Sequence, residues 1–170
     1  DENNTHNLRT RYLFVNNDNS TNGSDDKQDN QSETFYSDYQ WQHHFKHLNL
    51  RVTSGTTNEL VIAKSDLFQG HNSRKNHSLY TQLDKKWNKL NLSFGTRYEH
   101  FQVSSEERFF IDGDSINKYT SSKPVFRAGA NYQVGKATYL RSSWGQGFRF
   151  PSMAEMFIST TYSGLEIYPN

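Results

Sequence analysis

From Leu90 to Glu99 apolar and polar residues change places at every step. Leu90, Leu92, Phe94, Thr96 and Tyr98 fall on one side of an extended chain, and Asn91, Ser93, Gly95, Arg97 and Glu99 on the other. Successive side chains of a β-strand point to opposite faces, so this stretch predicts a strand that is greasy on one face and wet on the other. A helical period of 3.6 would mix the two kinds around its circumference.

The same pattern returns along the chain. Leu8, Thr10, Tyr12 and Phe14 oppose Arg9 and Arg11 within His6 to Val15; Phe35, Ser37, Tyr39 and Trp41 oppose Tyr36, Asp38, Gln40 and Gln42. Leu48 to Ser54 sets Leu48, Leu50 and Val52 outward, and Leu79, Thr81 and Leu83 oppose Tyr80, Gln82 and Asp84. Val125 to Gln133 places Phe126, Ala128, Ala130 and Tyr132 against Arg127, Gly129 and Asn131. A last strand carries Leu140, Ser142, Trp144 and Phe148 on one face, with Tyr139, Arg141, Ser143 and Arg149 on the other. Pro151 has no N–H to donate and ends that ladder. Ser152-Met-Ala-Glu155 then has the capping-box form of a short helical turn.

About seven strands follow, and their connections alternate in length. Long connections are predicted over Asn16 to Glu33, Thr56 to Asn76 and Gln102 to Ser122, with one more beginning at Ile158; the second is partly apolar at Leu60-Val-Ile-Ala63, a patch that extends the third strand or folds onto the rim. Short ones are predicted near His43 to His47, at Trp87-Asn-Lys89 and at Val134-Gly-Lys136. Successive antiparallel strands turn at opposite ends, so all long connections gather at one end. Outer-membrane barrels have this asymmetry. A soluble sheet with long loops on one side has it too.

Composition narrows the choice. Hydrophobic residues are 32% and mean hydropathy is −0.97, too little for a large dry core, yet aromatics reach 15%, which argues against disorder. Strands greasy on one face only reconcile the two values. A formal net charge of +1 disfavours nucleic acid as a partner. The absence of cysteine removes disulfides, thiol nucleophiles and Cys-based zinc sites. No run approaches the roughly 18 apolar residues of a membrane-spanning helix, but barrel strands need only about 9–11.

Ser143-W-G-Q-G-F-R-F-P-S-M-A-E-M-Phe157 closely resembles the mid-barrel signature of TonB-dependent outer-membrane receptors, a G-x-G-[FY]-R-x-P-S-x-x-E pattern. Trp144, Gly145, Gly147, Phe148, Arg149, Pro151, Ser152 and Glu155 carry the match. Leu79 to Glu99 is similar to a hairpin of the same family. The resemblance implies an all-β fold: about seven strands of a larger antiparallel, up-and-down transmembrane β-barrel, with long outer loops and short periplasmic turns. It implies that residues 1–170 are a partial barrel domain whose plug domain lies outside this chain. The implied partners are that plug, the TonB complex, outer-membrane lipid and a small ligand. The implied place is the bacterial outer membrane. The implied activity is TonB-dependent uptake of a scarce ligand such as a ferric siderophore, haem or cobalamin, with no cofactor, no metal site and no catalysis.

Arg97, Glu99, Arg127, Arg141 and Arg149 fall on the predicted lumen face, where they would bond the plug, line a ligand path, or satisfy one another across strands. Trp41, Trp87 and Trp144, with Phe94, Tyr98 and Tyr132, fit aromatic belts at a lipid interface. His43 and His44 point to opposite faces of a strand, which disfavours a metal site with His47. His71, His77 and His100, near Tyr98 and Tyr119, give no ligand set by spacing. Glu106-Glu107 and Asp112/Asp114 sit in a polar stretch as ordinary acids, and no nucleophile elbow occurs. The alternative from another class is a soluble carbohydrate-binding β-sandwich using loop aromatics such as Phe109, Phe110 and Tyr162.

Overall fold

The computed structural model describes residues 3–18, 29–65, 70–111, 114–152, 156, 160–162 and 165–167. Seven strands form one antiparallel sheet in strict chain order: β1 (Asn4–Asn17), β2 (Asn30–Phe45), β3 (Leu50–Ser65), β4 (Gly70–Trp87), β5 (Leu90–Ile111), β6 (Asp114–Gln133) and β7 (Tyr139–Gly145). Each pairs only with its sequence neighbours, an up-and-down arrangement with β1 and β7 at the edges. A separate two-stranded ladder, β8 (Thr160–Tyr162) with β9 (Leu165–Ile167), lies in the segment read as a long connection.

The short turns stand as expected. A single 3-10 turn, Lys46–Leu48, joins β2 to β3 and ends on Asn49 at φ 45°; Asn88 between β4 and β5 has φ 40°. Asparagine is the usual non-glycine residue in this left-handed region. Between β6 and β7 the N–H of Val134 donates to the Thr138 carbonyl at 2.9 Å.

The strands are much longer than the alternation indicated. Thr56 to Ser65 extends β3, Gly70 to Asn76 opens β4, and Gln102 to Ser122 is mostly ladder, with β5 running to Ile111 and β6 starting at Asp114. The patch Leu60–Ala63 takes the first of its two expected courses and extends the third strand, while the expectation of long loops over the rest is corrected: at that end the difference lies in strand length. Leu60 and Ile62 carry the outward apolar face into the β3 extension, and elsewhere backbone pairing holds the ladder where the alternation fades. Phe109 and Phe110 accordingly lie in β5, beyond a register shift between Ser104 and Phe109. Of the stretch Asn16 to Glu33, residues 19–28 lie outside the described residues.

The registers show how apolar residues are laid out on one face. On β5 the apolar band runs from Leu90 to Tyr98, nine residues, as a membrane-crossing strand requires. The row through Tyr98 continues as Leu79, Thr56, Tyr39 and Leu8, and in β1 the band only begins there, at Leu8, and ends at Phe14. The upper border thus stands in the row of Phe14 and Ile62 on β1 and β3, and six residues lower, in the row of Leu79, Tyr98 and Pro124, on β4 to β6. The row of Phe14 meets β6 at Lys118, six residues above Pro124, where the band of β6 ends. Six residues are about 20 Å of strand and five strand spacings about 24 Å, a slope of roughly 40°. Strands tilted 35–45° against a flat lipid slab give an offset of this size between the two sides of the sheet. No second layer covers the band among the described residues: Leu8, Leu79, Leu140 and Trp144 are each more than half exposed.

Candidate functional site on the polar face

The opposite face carries a cross-strand network held by two close approaches over glycine. Tyr80 of β4 lies flat across Gly55 of β3 and donates its hydroxyl to Asp38 Oδ1 on β2 at 3.3 Å, while Gln40 Nε2 donates to the same hydroxyl at 3.4 Å. Arg127 of β6 lies across Gly95 of β5 and donates to Gln82 Oε1 on β4. Each long side chain skips one strand to bond the next but one. Only a residue without Cβ permits this.

Arg97 sits between the two crossings. Its guanidinium is 5.9 Å from the Tyr80 ring centroid, and its Nη2 donates to Thr57 Oγ1 at 3.1 Å. Its Nε is 2.5 Å from Glu99 Oε1, an ion pair whose N–H is not aligned for a hydrogen bond. Such pairs two residues apart share a face of a strand. Arg74 and Glu59 form a second ion pair, at 2.7 Å, further up the same face. Nearer the short turns, Arg141 faces an open depression of about 880 Å³ shared with His44, Arg51, Asp84, Lys86 and Asn131.

The signature segment departs from its predicted course. β7 stops at Gly145, so Phe148 and Arg149 do not continue its faces. Gln146 ends the ladder: its N–H donates to the Phe126 carbonyl at 3.0 Å, and its Oε1 accepts the Phe126 N–H at 3.1 Å. With the neighbour's backbone already satisfied, the chain is free to leave the sheet through Gly147. It folds over the polar face of β5 and β6. Phe150 stacks on Phe101 at 4.3 Å and 7°, and Phe148 meets Phe150 edge-on at 4.6 Å under the Lys123 ammonium. Phe148 therefore lies over the polar face, correcting its expected outward direction. The Met156 N–H donates to the Ser152 carbonyl at 3.2 Å, the bond of one helical turn, and Met156 is buried with Phe101 and Val103. Glu155 lies outside the described residues.

Among the predicted site residues, Arg97 and Glu99 are brought together, and Arg127 joins the same network. Arg141 stands apart in the lower depression, and Arg149 belongs to the departing segment. Asp38, Tyr80, Gly55 and Gln82 complete the network and were not singled out by sequence; alternation marked the face of Asp38, Tyr80 and Gln82 but not their partners, and Gly55 lay just past the strand read there. His77 and His100 face outward whereas Tyr119 packs on Phe101 across the other face, so these do not form one ligand set. No group of three or more His, Cys, Asp or Glu able to hold a metal occurs among the described residues.

Phe150→Ala is expected to free the departing segment without unfolding the sheet, because an aromatic pair adds about 0.5–1.5 kcal/mol beyond its buried area. Limited proteolysis of the intact protein should gain a cut between residues 146 and 156; an unchanged digest would show that the stack does not hold the segment.

A family model described as TonB dependent receptor-like, beta-barrel matches residues 1–169. The chain belongs to that family. No curated protein and no solved structure matches it. TonB-dependent receptors are transport barrels of the bacterial outer membrane that hold a plug domain and act with TonB. In this receptor barrel the polar face is the lumen wall, the apolar band faces lipid, and the short turns mark the periplasmic end.

Proposed function

We propose that the receptor takes up a scarce small ligand in a TonB-dependent manner, a metal chelate such as a ferric siderophore or haem before cobalamin. The lumen network carries this reading. Its charged groups are engaged by neighbouring side chains across β2 to β6, which suits a stiff wall against which a plug seats. Arg97, Glu99 and Arg127 thus act as wall and plug-facing residues, with Arg141 and Arg149 presented to the plug. None is a ligand contact in this reading. A soluble β-sandwich would cover its apolar face with a second sheet, and the bare, tilted band argues against it.

Cells carrying the whole receptor should accumulate labelled chelate only when TonB is present; equal accumulation without TonB would overturn the proposal. In the same receptor Arg141→Ala should leave ligand affinity within a few fold. A tenfold loss would move Arg141 from the plug-facing wall to the ligand path.

A further inference from the structure

The arginines of the lumen wall are not all served alike. In the upper network each has an acceptor: Arg74 meets Glu59, Arg97 meets Glu99 and Arg127 meets Gln82. Around the depression of about 880 Å³ near the short turns the cations have none. Among the described residues Arg51, Lys86 and Arg141 make no ion pair and no side-chain hydrogen bond. Asp84 is the one carboxylate among the described residues of the lining. It stands opposite Arg51 in register, yet both its oxygens accept from Gln82 Nε2 at 2.9 Å.

The registers set these cations on two sides of a neutral trough. Lys86, Asn91, Asn131 and Arg141 share one row from β4 to β7, and His44 and Arg51 are partners in the next row of that face. Ser93, Gly129 and Ser143 continue that second row without charge. Lys86 and Arg141 are three strand spacings apart, about 14 Å, room for one helix or loop roughly 10 Å across. Facing water, such cations need no partner. A plug seated against this wall removes the water, and a desolvated cation is costly unless it is paired. The wall offers only Asp84 for three charged groups, so the missing carboxylates have to come with the plug.

We propose that the depression holds a carboxylate-bearing segment of the plug domain, at the periplasmic end of the lumen, with Arg51 and Lys86 on one side of it and Arg141 on the other. Each guanidinium can grip a carboxylate through two parallel N–H bonds, and Lys86 adds a point charge. The inference rests on the plug-facing reading of this wall and adds the sign of the plug surface that meets it.

The test uses the whole receptor. Carbodiimide coupling, which joins an ammonium to a carboxylate in contact with it, should link Lys86 to an aspartate or glutamate of the plug, read by mass spectrometry of the digest. Hydrogen exchange gives a second readout. The triple variant Arg51→Gln, Lys86→Gln, Arg141→Gln should speed the exchange of plug amides at the periplasmic mouth about tenfold or more. Lys75→Gln, on the lipid-facing side, should exchange as the parent does. Coupling of Lys86 to no plug carboxylate, equal exchange in parent and triple variant, or an equal gain in Lys75→Gln overturns the inference. A triple variant that loses ligand affinity tenfold with plug exchange unchanged also overturns it, and gives the depression to the ligand path. In each of these cases chelate uptake that still requires TonB leaves the proposed function standing; uptake without TonB removes that reading on its own.

Discussion

Phe94→Arg should lower the stability of the receptor in a bilayer by about 2–4 kcal/mol, the cost of a lipid-facing cation near mid-membrane. Phe94 is 46% exposed, stacks on Phe126 at 6.5 Å, and shares a row with Leu83, Ala128 and Trp144, midway between the borders of the band on β5. Asn91→Arg, three residues away on the lumen face, meets water and should change stability by no more than about 0.5 kcal/mol. Denaturant titration in liposomes compares the two. If the outward face were wetted, exchanging an exposed phenylalanine for arginine would be close to neutral, and equal midpoints would refute the lipid-facing assignment.

The second large effect is expected at Gly55. A Cβ there would lie 2.5 Å from the Tyr39 carbonyl oxygen and even nearer the Tyr80 hydroxyl. The carbonyl belongs to the β2 backbone and cannot swing aside, so Gly55→Ala should cost about 1–3 kcal/mol, as overpacking does. Gly95 is the informative contrast. A Cβ there would come 2.7 Å from Arg127 Nε, the far part of a flexible side chain. Gly95→Ala should therefore displace Arg127 from Gln82 at a cost below about 1 kcal/mol. Unfolding midpoints measured side by side decide the matter; a Gly95→Ala loss as large as that of Gly55→Ala would mean that the arginine crossing, too, is rigid. Removing the Tyr80 ring should rescue Gly55→Ala only in part, because the carbonyl contact remains.

The part of the fold inside the bilayer was legible because lipid on one side and water on the other impose a period of two. Leu90 to Glu99 shows this most plainly. Beyond the outer border the outward face no longer meets lipid, the contrast between Gln102 and Ser122 fades, and the residues look like loop although the ladder continues. The departure of Phe148 was hidden for a different reason. Gln146 closes the ladder with its own amide, and nothing in its identity separates that role from an ordinary polar strand position. In the lumen, Arg97 and Glu99 were readable as same-face neighbours two residues apart. The bonds of Tyr80 to Asp38 and of Arg127 to Gln82 were not. They depend on which glycine lies opposite which long side chain, and that is a property of register between strands distant in sequence.

The length of β5 has a practical corollary. Above the apolar band the ladder of β5 with β6 runs from His100 and Ser122 to Ile111 and Asp114, nine residues on β6, about 30 Å of strand and, at a tilt near 40°, roughly 23 Å of height. The wall thus rises as a collar well clear of the lipid surface. A peptide tag inserted between Ile111 and Asp114 would be displayed at that height, within reach of an antibody on living cells.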